Sequence, residues 1–378
     1  MKILHIMAYP PDHMGGYSLY CRNLMAHLTS QGIECEVLTS YYNRISKKRE
    51  FIDLNDIKVY SNRYWGNLFG LNPMFSILPF LKKNYENYDI IHAHSYIFFS
   101  TIQSALFRKF RKFPLVLQLH GGIQTDAFYP SNLFEKLQLL FKKIIFDPII
   151  GRITLKAPDA LVSVSYLDLQ TVLKSFRIEC DNNFWIPNAV DISKFKPLKG
   201  IEGKYITFVG RLSYIKGFDI FLKIAEKIHK KKQDIEFIIV GDGPLLNLLR
   251  EYKSKIPIKY YQRVPYEKMI QVYNKSKILL ITSRYEGIPA TMLEAMACGT
   301  VVVASKAGGV PEVIRNEKYG FMFDLNDLES AAELCVDLIE HQNKYSIDSR
   351  VIRDYINKGF SWETITKKMI TVYEKLIL

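Results

Sequence analysis

Two glutamates eight residues apart, Glu286 and Glu294, lie in the stretch of this sequence that is best suited to bind a ligand. They lie in the stretch SRYEGIPATMLEAMAC, Ser283–Cys298, where a glycine-containing loop leads into a proline and a run of helix-forming residues. Because proline is tolerated at the first helical position and a glycine follows the run, the pattern predicts a helix over 289–298. The unpaired amides and the positive dipole at such a helix N-terminus suit a phosphate group.

The two carboxylates would flank that anion site, Glu286 before the helix and Glu294 two turns inside it. Carboxylates beside a bound diphosphate are electrostatically unfavourable unless they accept hydrogen bonds from hydroxyl groups. A nucleotide sugar has hydroxyls on both sides of its diphosphate, on the sugar and on the ribose. The stretch therefore leads to the hypothesis that these glutamates bind a nucleotide sugar.

The elements that must position this stretch alternate between strands and helices along the whole chain. An apolar run at 3–8, a loop with Gly15 and Gly16, a helical pattern at 19–28 and a strand at 35–39 open a doubly wound α/β domain. Further strands are predicted at 89–92, 115–119 and 160–165, and helices at 133–156, bent or broken at Pro148, and at 166–175.

The same alternation restarts after a polar run that ends at Lys204. Strands are predicted at 206–209, 237–240, 258–262, 278–282 and 301–304, and helices at 217–231, 244–253, 266–274, 289–298, 326–340 and 362–378. A chain of 378 residues exceeds a typical single core. The sequence thus predicts two Rossmann-like domains with a cleft between them.

The cysteine content and the apolar runs of the sequence indicate the cellular compartment. The five cysteines are scattered and odd in number, which suggests neither a disulfide framework nor a zinc site and favours a reducing cytosol. The apolar run at the N-terminus is short and lacks a small-residue cleavage site, so it is typical of a buried strand rather than a signal peptide. No stretch approaches about 20 uninterrupted apolar residues, which argues against a transmembrane helix.

Four successive strand ends in the second half carry residues suited to a ligand. Arg211 and Lys216 follow the first strand, and two cations at one sheet edge suit a diphosphate. Gly241 opens the turn GDGP, which alone is more often a turn than a nucleotide fingerprint. Val264 follows the third strand, and Glu286 follows the fourth. Together these strand ends predict one binding edge.

The motifs VGRLSYIKG, GDGP, SRYEGIPATMLEAMACGTVVVASKAGGVPEVI and GFMFDLNDLES, in that order and spacing, resemble the GT4 family of retaining glycosyltransferases with the GT-B fold. Gly15-Gly16 is similar to the glycine loop of that family, His120-Gly121 to its histidine before a glycine, and IPNAVDISKF to its hinge. The resemblance spans nearly the whole chain. Its departures are Ala189, where glycine is usual, and Thr282, where proline is common.

The resemblance implies an α/β fold of two Rossmann-like domains whose parallel sheets face an interdomain cleft. Residues 1–187 would form the acceptor-binding domain and 188–360 the nucleotide-sugar-binding domain. The segment 361–378, which contains FSWETITKKMITVYEKL, would be a helix that packs back on the N-terminal domain.

The resemblance also implies roles for individual residues. Arg211 and Lys216 would hold the donor diphosphate, Glu286 would bind sugar hydroxyls, and Glu294 would bind the ribose. His120 would line the reaction centre and orient the sugar in a front-side substitution. The implied catalytic residues are His120, Arg211, Lys216 and Glu286. The implied donor-binding residues are Gly15, Gly16, Arg211, Lys216, Gly241, Val264, Glu286, Gly287, Ile288, Pro289, Leu293 and Glu294.

Two further implications concern the donor and metals. The donor would be a UDP- or GDP-linked sugar, used as a substrate, with no cofactor. The family works without an essential divalent metal, and this sequence shows no Asp-x-Asp signature. Arg, Lys and a helix N-terminus can neutralise the charge that a metal would otherwise neutralise.

The charge distribution bears on the acceptor. The chain carries a net charge of +13, and residues 44–112 contain 12 Lys or Arg against 5 Asp or Glu. The segments 63–83 and 105–113 combine aromatic with basic residues, whereas 41–50 is simply polar and basic. This pattern predicts contact with an anionic membrane surface. Since the N-terminal domain selects the acceptor in the family that the sequence resembles, the resemblance implies a lipid-linked acceptor in envelope polysaccharide or lipopolysaccharide synthesis. The expected location is the cytoplasmic face of the cell membrane. In the alternative interpretation, the aromatic residues belong to the core.

Other protein classes fit less well. A nucleotide-sugar epimerase of the same two-domain fold is an alternative, although it is not expected to carry this order of motifs. A NAD-dependent dehydrogenase requires G-x-G-x-x-G after an early strand, which MGGYSLYCRN does not supply. A non-catalytic nucleic-acid-binding protein would use the positive charge, but no dedicated binding motif is present, and we expect no nucleic-acid partner.

Overall fold

The computed structural model describes residues 1–13, 15–40, 57–66, 73–121, 133–345 and 348–378. The polar run 41–50 and residues 67–72 of the aromatic segment lie outside the described residues. The described residues form two compact units. The first contains those up to Pro187 together with Ile365–Leu378, and the second contains Asn188–Thr364.

The first unit contains a seven-stranded parallel sheet with the order β3-β2-β1-β4-β5-β6-β7. Its strands are β1 (Lys2–Ile6), β2 (Glu34–Ser40), β3 (Lys58–Asn62), β4 (Ile90–His94), β5 (Leu115–Leu119), β6 (Ala160–Ser163) and β7 (Asn183–Trp185). The order reverses between β1 and β4. In sheets of this kind, ligands bind beyond the carboxyl ends of the strands at such a reversal.

Helices connect the strands of the first unit. They are α1 (Gly16–Ser30), α2 (Leu78–Asn84), α3 (Phe99–Arg108), α4 (Leu133–Phe141), α5 (Arg152–Lys156) and α6 (Tyr166–Phe176). Between α4 and α5 the chain continues in wider π-helical turns over Lys142–Gly151, which include Pro148. Proline has no amide to donate in a regular helix, so the turns widen here instead of ending the helical segment predicted over 133–156.

The second unit contains a six-stranded parallel sheet with the order β10-β9-β8-β11-β12-β13. Its strands are β8 (Tyr205–Val209), β9 (Phe237–Val240), β10 (Ile258–Tyr261), β11 (Ser276–Ile281), β12 (Val301–Ser305) and β13 (Phe321–Phe323). Its helices are α7 (Phe218–Lys231), α8 (Leu246–Tyr252), α9 (Met269–Lys275), α10 (Ala290–Ala297), α11 (Val310–Val313), α12 (Leu328–Glu340) and α13 (Ser349–Phe360). Here the order reverses between β8 and β11.

The central strands are buried along their length, which explains why they read as apolar runs. All five residues of Val301–Ser305 are buried, as are all five of Leu115–Leu119. Helices cover both faces of such parallel sheets, so both faces of these two strands are buried. The prediction of an α/β chain with two parallel Rossmann-like sheets is therefore confirmed.

The last helix, α14 (Trp362–Ile377), begins in the second unit and belongs to the first from Ile365 onward. Its apolar residues at helical spacing, Ile365, Met369, Val372 and Tyr373, are almost completely buried. Within the first unit the Tyr373 hydroxyl lies 2.7 Å from Nδ1 of His92 on β4. The C-terminal residues therefore form part of the first unit's core.

Candidate functional site

In the second unit, Lys216 and Glu286 lie in two loops that follow the neighbouring strands β8 and β11. The Lys216 Nζ atom is 2.5 Å from Oε1 of Glu286. The Ser283 hydroxyl donates a second hydrogen bond to the same oxygen at 2.7 Å. Glu286 is buried, whereas the Lys216 side chain is 37% exposed. A buried carboxylate is thus held in place by a cation that still reaches solvent.

A second ion pair holds these two loops together. Both terminal guanidinium nitrogens of Arg284 lie 2.7 Å from the carboxylate oxygens of Asp219, in the first turn of α7. Arg284 also donates to the carbonyl of Tyr214, and its amide donates to the carbonyl of Ile215. Bidentate pairs of this kind fix orientation as well as distance. The β8–α7 loop is therefore fastened to the loop that carries Glu286.

Backbone contacts fix the conformation of the Glu286 loop from two other sides. Gly308 has a φ of +52°, and a Cβ atom there would lie 1.6 Å from the Glu286 carbonyl oxygen. The neighbouring Gly309 amide donates to the carbonyl of Gly287 at 2.9 Å. Asn188 lies in the predicted hinge motif, and its side-chain Nδ2 donates to the backbone carbonyl of Ile288 at 2.5 Å. The loop thus depends on residues far from it in sequence.

Glu294 lies on α10 and has a different set of partners from Glu286. It is buried, and the Tyr273 hydroxyl of α9 donates to its Oε2 at 2.6 Å. Burial raises the pKa of the Glu294 carboxyl from 4.5 to about 7, although hydrogen bonds from Tyr273 and Tyr266 act in the opposite direction. The charge on this carboxyl therefore changes near neutral pH.

The loop before α10 and the first turn of this helix contain further predicted donor-binding residues. Ile288 and Pro289 are buried, Gly287 is half-buried, and Pro289 caps the N-terminus of α10. The amide of Leu293 already donates to the Pro289 carbonyl at 3.4 Å. The first turn of α10 contains no acidic residue, so its own side chains leave the positive dipole end unneutralised.

The remaining predicted residues of this unit lie at the ends of β8, β9 and β10. Arg211 is exposed and pairs with no carboxylate in the part of the chain that the structure describes. A Cβ at Gly241 would lie 1.9 Å from the carbonyl of Gly210, so this glycine lets the β9–α8 loop pass closely beside the loop that carries Arg211. Val264 is half-buried after β10.

In the first unit, three histidines form a hydrogen-bonded chain. His5 Nδ1 lies 3.1 Å from His94 Nε2, and His94 Nδ1 lies 3.0 Å from His120 Nε2. His5 on β1 and His94 on β4 have no exposed surface, whereas His120 after β5 is partly exposed. The chain of bonds couples the tautomers of these rings, because each neutral imidazole has one donor and one acceptor nitrogen.

Aromatic residues of α1 cover His120. The rings of Tyr17 and Tyr20 approach it edge-on at 5.1 Å and 5.2 Å between centroids. Burial lowers the pKa of His120 to about 3, so the ring is neutral at physiological pH. Gly15 and Gly16 at the start of α1 are exposed, and an added Cβ would meet no atom within 4 Å at either.

The histidine chain also has the composition of a transition-metal site. The groups His5, His92, His94 and Cys21, His94, His120 each have potential ligand atoms within 4.8 Å of one another. However, two of the nitrogen pairs are at the distance of ordinary hydrogen bonds, and His92 Nδ1 is bonded to the Tyr373 hydroxyl. Hydrogen bonds therefore connect three of these rings, whereas Nε2 of His5 and Nε2 of His92 are buried without a hydrogen-bond partner among the described residues.

Several residues that build the site were not predicted from the sequence. Ser283 and Arg284 stand beside Glu286 in the same motif, and a hydroxyl three residues before a carboxylate is a usable local signal. Tyr273 carried no such signal, because it lies 21 residues before Glu294 on another helix. The sequence likewise singled out His120 but assigned His5, His92 and His94 no function.

The two units, each a parallel Rossmann-like sheet covered by helices, have the architecture of the GT-B fold. The solved structure of HepE from Anabaena, in complex with UDP-glucose, matches with a TM-score of 0.76 at 18% identity, over 99% of this chain and 100% of that one. The profile of the family described as Glycosyl transferases group 1 matches residues 190–352, and that of Glycosyltransferase Family 4 matches residues 14–194.

The chain belongs to the GT4-type glycosyltransferases and is an enzyme of hexosyltransferase type. An uncharacterized glycosyltransferase of Methanocaldococcus jannaschii is 26% identical over 100% of this chain and 99% of its own length. The GPI3 subunit of phosphatidylinositol N-acetylglucosaminyltransferase from Saccharomyces cerevisiae is 26% identical over 59% of this chain and 52% of its own length.

Proposed function

We propose that this chain is a retaining glycosyltransferase that moves a hexosyl group from a UDP- or GDP-sugar to a hydroxyl of a glycan or lipid-linked acceptor. The observation that carries the proposal is the contact between Lys216 and the buried Glu286 at the loop that precedes α10. A cation, a buried carboxylate and a helix N-terminus meet there. The cation and the helix N-terminus suit a diphosphate, and the carboxylate suits the hydroxyls of a sugar.

The donor diphosphate is proposed to bind Arg211, Lys216 and the first amides of α10. Arg211 is exposed and has no carboxylate partner among the described residues, so its guanidinium is available to two phosphate oxygens. As the bond to the sugar breaks, negative charge increases on the departing diphosphate. Fixed cations and amide dipoles stabilise that charge without a divalent metal, so we expect turnover to persist in the presence of a chelator.

The two glutamates are proposed to bind the hydroxyls on either side of the diphosphate. Glu286 Oε1 already accepts from Lys216 and Ser283, and its Oε2 accepts no hydrogen bond from any described residue. We assign Oε2 to a hydroxyl of the transferred sugar and Glu294 to the ribose. Val264 is assigned to the base, as a half-buried apolar contact.

The proposed reaction is a front-side substitution. The bond between the anomeric carbon and the donor phosphate breaks while a bond to the acceptor oxygen forms on the same face. The proton of the acceptor hydroxyl passes to the departing phosphate oxygen. His120, neutral because burial lowers its pKa to about 3, orients the sugar through a hydrogen bond and does not act as a charged acid.

A lipid-linked acceptor in envelope polysaccharide or lipopolysaccharide synthesis is proposed for the first unit. Two observations support a lipid acceptor. Phe110 is 81% exposed among basic residues. The Saccharomyces cerevisiae relative is named for transfer to phosphatidylinositol. The cytoplasmic face of an anionic membrane is the proposed location.

The experiment is to incubate the enzyme with UDP- and GDP-sugars, with and without lipid-linked acceptors, and to follow nucleoside diphosphate release and product stereochemistry. We expect nucleoside diphosphate release that depends on the acceptor, and a product whose anomeric configuration, determined by NMR, is that of the donor. Interconversion of free nucleotide sugars without acceptor would instead indicate an epimerase. A product of inverted configuration would refute retention.

A further inference from the structure

A row of six exposed apolar side chains lies on the helical segment 133–156 of the first unit. The row consists of Leu133, Leu137, Leu140, Ile144, Ile145 and Ile149, each between 45% and 72% exposed. Their spacing of mostly three to five residues places them on one side of the helical segment. Phe146 and Leu155, on the opposite side, are buried in the core of the unit.

The apolar row runs into a basic pocket. Ile149 belongs both to the row and to a cavity of about 630 Å³ between the end of α3 and the helical segment. The cavity is lined by Arg108, Lys109, Pro148, Ile149, Arg152, Ile153, Lys156 and Ala157. Four of these eight residues are cationic, and this lining contains no carboxylate.

Most of the positive charge at the pocket is not neutralised. Arg108 forms an ion pair with Asp159 at 2.8 Å. Lys109, Arg152 and Lys156 are exposed, and none of them pairs with a carboxylate within the described ranges of the chain. An anionic group in the pocket would therefore meet three cations whose charge is available.

An exposed aromatic residue follows the pocket residues of α3 in sequence. Phe110 directly follows Lys109 and is 81% exposed, and Arg111 and Lys112 after it are exposed as well. By contrast, Phe75, Ile77 and Leu81 of the predicted aromatic segment 63–83 are completely buried. These three residues belong to the core, whereas Trp65 of the same segment is 61% exposed. The exposed apolar and basic residues near the pocket lie in 105–113 and 133–156.

We propose that the apolar row and the basic pocket together dock the first unit on an anionic lipid bilayer, with a lipid phosphate in the pocket. Adjacent exposed leucines and isoleucines gain free energy by entering the acyl region, and the cations gain it at the headgroups. The aliphatic row offers little surface on which nucleic-acid bases would stack. None of the described helices has the length and hydrophobicity of a membrane span.

This inference deepens the proposed function, because a lipid-linked acceptor is reached only at a bilayer, but its test does not require transfer. The test is flotation of the purified protein with vesicles of phosphatidylcholine alone or mixed with phosphatidylglycerol. Binding to the mixed vesicles is expected and should weaken at high salt, since exposed charges are screened.

Two double variants separate the apolar and charged contributions. Ile144→Gln with Ile149→Gln removes two members of the row, and Arg152→Gln with Lys156→Gln removes two pocket cations. Each double variant is expected to reduce binding to the mixed vesicles at least about tenfold. For the charge variant, the loss of each cation should weaken binding on the order of fivefold. The control, Lys223→Gln with Lys318→Gln, makes the same charge change at exposed positions of the second unit and should leave binding unchanged.

The result that would overturn the inference is vesicle binding that neither double variant reduces, or that the control reduces equally. Equal binding to phosphatidylcholine alone would also refute it, because the pocket would then recognise no charge. Thermal stabilisation by nucleotide sugars should be the same in all variants, since they leave the second unit's donor residues intact. If nucleotide sugars did not stabilise the wild-type protein, that result would count against the proposed function and not against the docking surface.

Discussion

The Lys216 ammonium and the Glu286 carboxylate lie 2.5 Å apart across 70 residues of sequence. Their contact joins the loops after β8 and β11, the strands between which the order of the second sheet reverses. Arg284 and Asp219 fasten the same two loops with a bidentate pair. The ion pair therefore belongs to a preformed arrangement, in which binding requires little additional ordering of side chains.

Replacing Lys216 by methionine should reduce kcat/KM about 100-fold or more, because the departing diphosphate loses a fixed cation. Glu286 would also lose its ionic partner. Steady-state kinetics with a saturating acceptor measure the effect. The control Lys223→Met removes an exposed lysine from α7 of the same unit and should leave the rate unchanged. Equal activity of the two variants would exclude Lys216 from the donor site.

The carboxyl of Glu294 should make stability depend on pH. Its pKa is raised from 4.5 to about 7, so the folded protein binds this proton more tightly than the unfolded chain does. The associated stabilisation is complete below the unfolded pKa and is lost as pH rises through the folded pKa. It amounts to about 3 kcal/mol at most.

Denaturant unfolding of the wild-type protein and Glu294→Gln measures this contribution. The wild-type free energy of unfolding, relative to the variant, should fall as the pH rises from 4.5 to about 7. The exposed Glu317→Gln should show no such trend. If ribose hydroxyls donate to the ionised carboxylate, donor affinity should increase over the same range in the wild-type protein only. If the difference in free energy of unfolding between the wild-type protein and Glu294→Gln stayed constant with pH, this would contradict a pKa of Glu294 raised by burial.

Gly308→Ala should displace the loop that carries Glu286. The added Cβ would meet the Glu286 carbonyl oxygen at 1.6 Å, and the φ of +52° is strained for alanine. Gly200→Ala is the matched control, because Gly200 has a φ of +75° but no atom within 4 Å of an added Cβ. Both changes cost roughly 1 kcal/mol in backbone strain. Only Gly308→Ala should cost substantially more and weaken donor binding, measured by thermal unfolding and calorimetry.

The sequence predicted the central strands well because their burial on both faces produces largely apolar runs, whereas the edge strands β3 and β13 were not predicted. Phe237–Val240 and Leu115–Leu119 were predicted with their exact bounds. Helix α13 was not predicted, since its buried Ile352, Ile356 and Phe360 are diluted by charged neighbours. The segment 63–83 illustrates a different limit. Aromatic residues flanked by lysines look alike whether they enter the core or face solvent, and only tertiary packing decides between the two.

The candidate site was predictable where its residues belong to one motif. Glu286, Glu294 and the start of α10 follow from a single stretch of sequence. The contacts that hold them, Lys216 with Glu286 and Tyr273 with Glu294, join separate elements. Local patterns contain no information about which distant side chain completes such a pair. The pKa of Glu294 was unpredictable for the same reason, since it depends on burial.

His94→Phe should impair turnover without weakening donor binding. The substitution removes the hydrogen bonds from His94 to His5 and to His120, so the ring of His120 loses the partner that fixes its tautomer. We expect kcat to fall about 10-fold or more, as for a misaligned catalytic group. The affinity for the nucleotide sugar should remain that of the wild-type protein, because the proposed donor contacts of Glu286 and Lys216 are in the other unit. Unchanged kcat would show that the histidine chain is only structural.

Calorimetric titration of UDP- and GDP-sugars into the wild-type protein and Glu286→Gln measures whether Glu286 binds the donor. Glutamine keeps the shape of the side chain but removes the negative charge. That charge pairs with Lys216 and strengthens a hydrogen bond from a sugar hydroxyl. We expect one donor site in the wild-type protein, and thermal unfolding should show about 2.7 kcal/mol of stabilisation at roughly 100 times the Kd. Binding should be markedly weaker in Glu286→Gln and unchanged in Glu317→Gln. No binding of any nucleotide sugar to the wild-type protein, or equal affinity in Glu286→Gln, would contradict the proposed donor site.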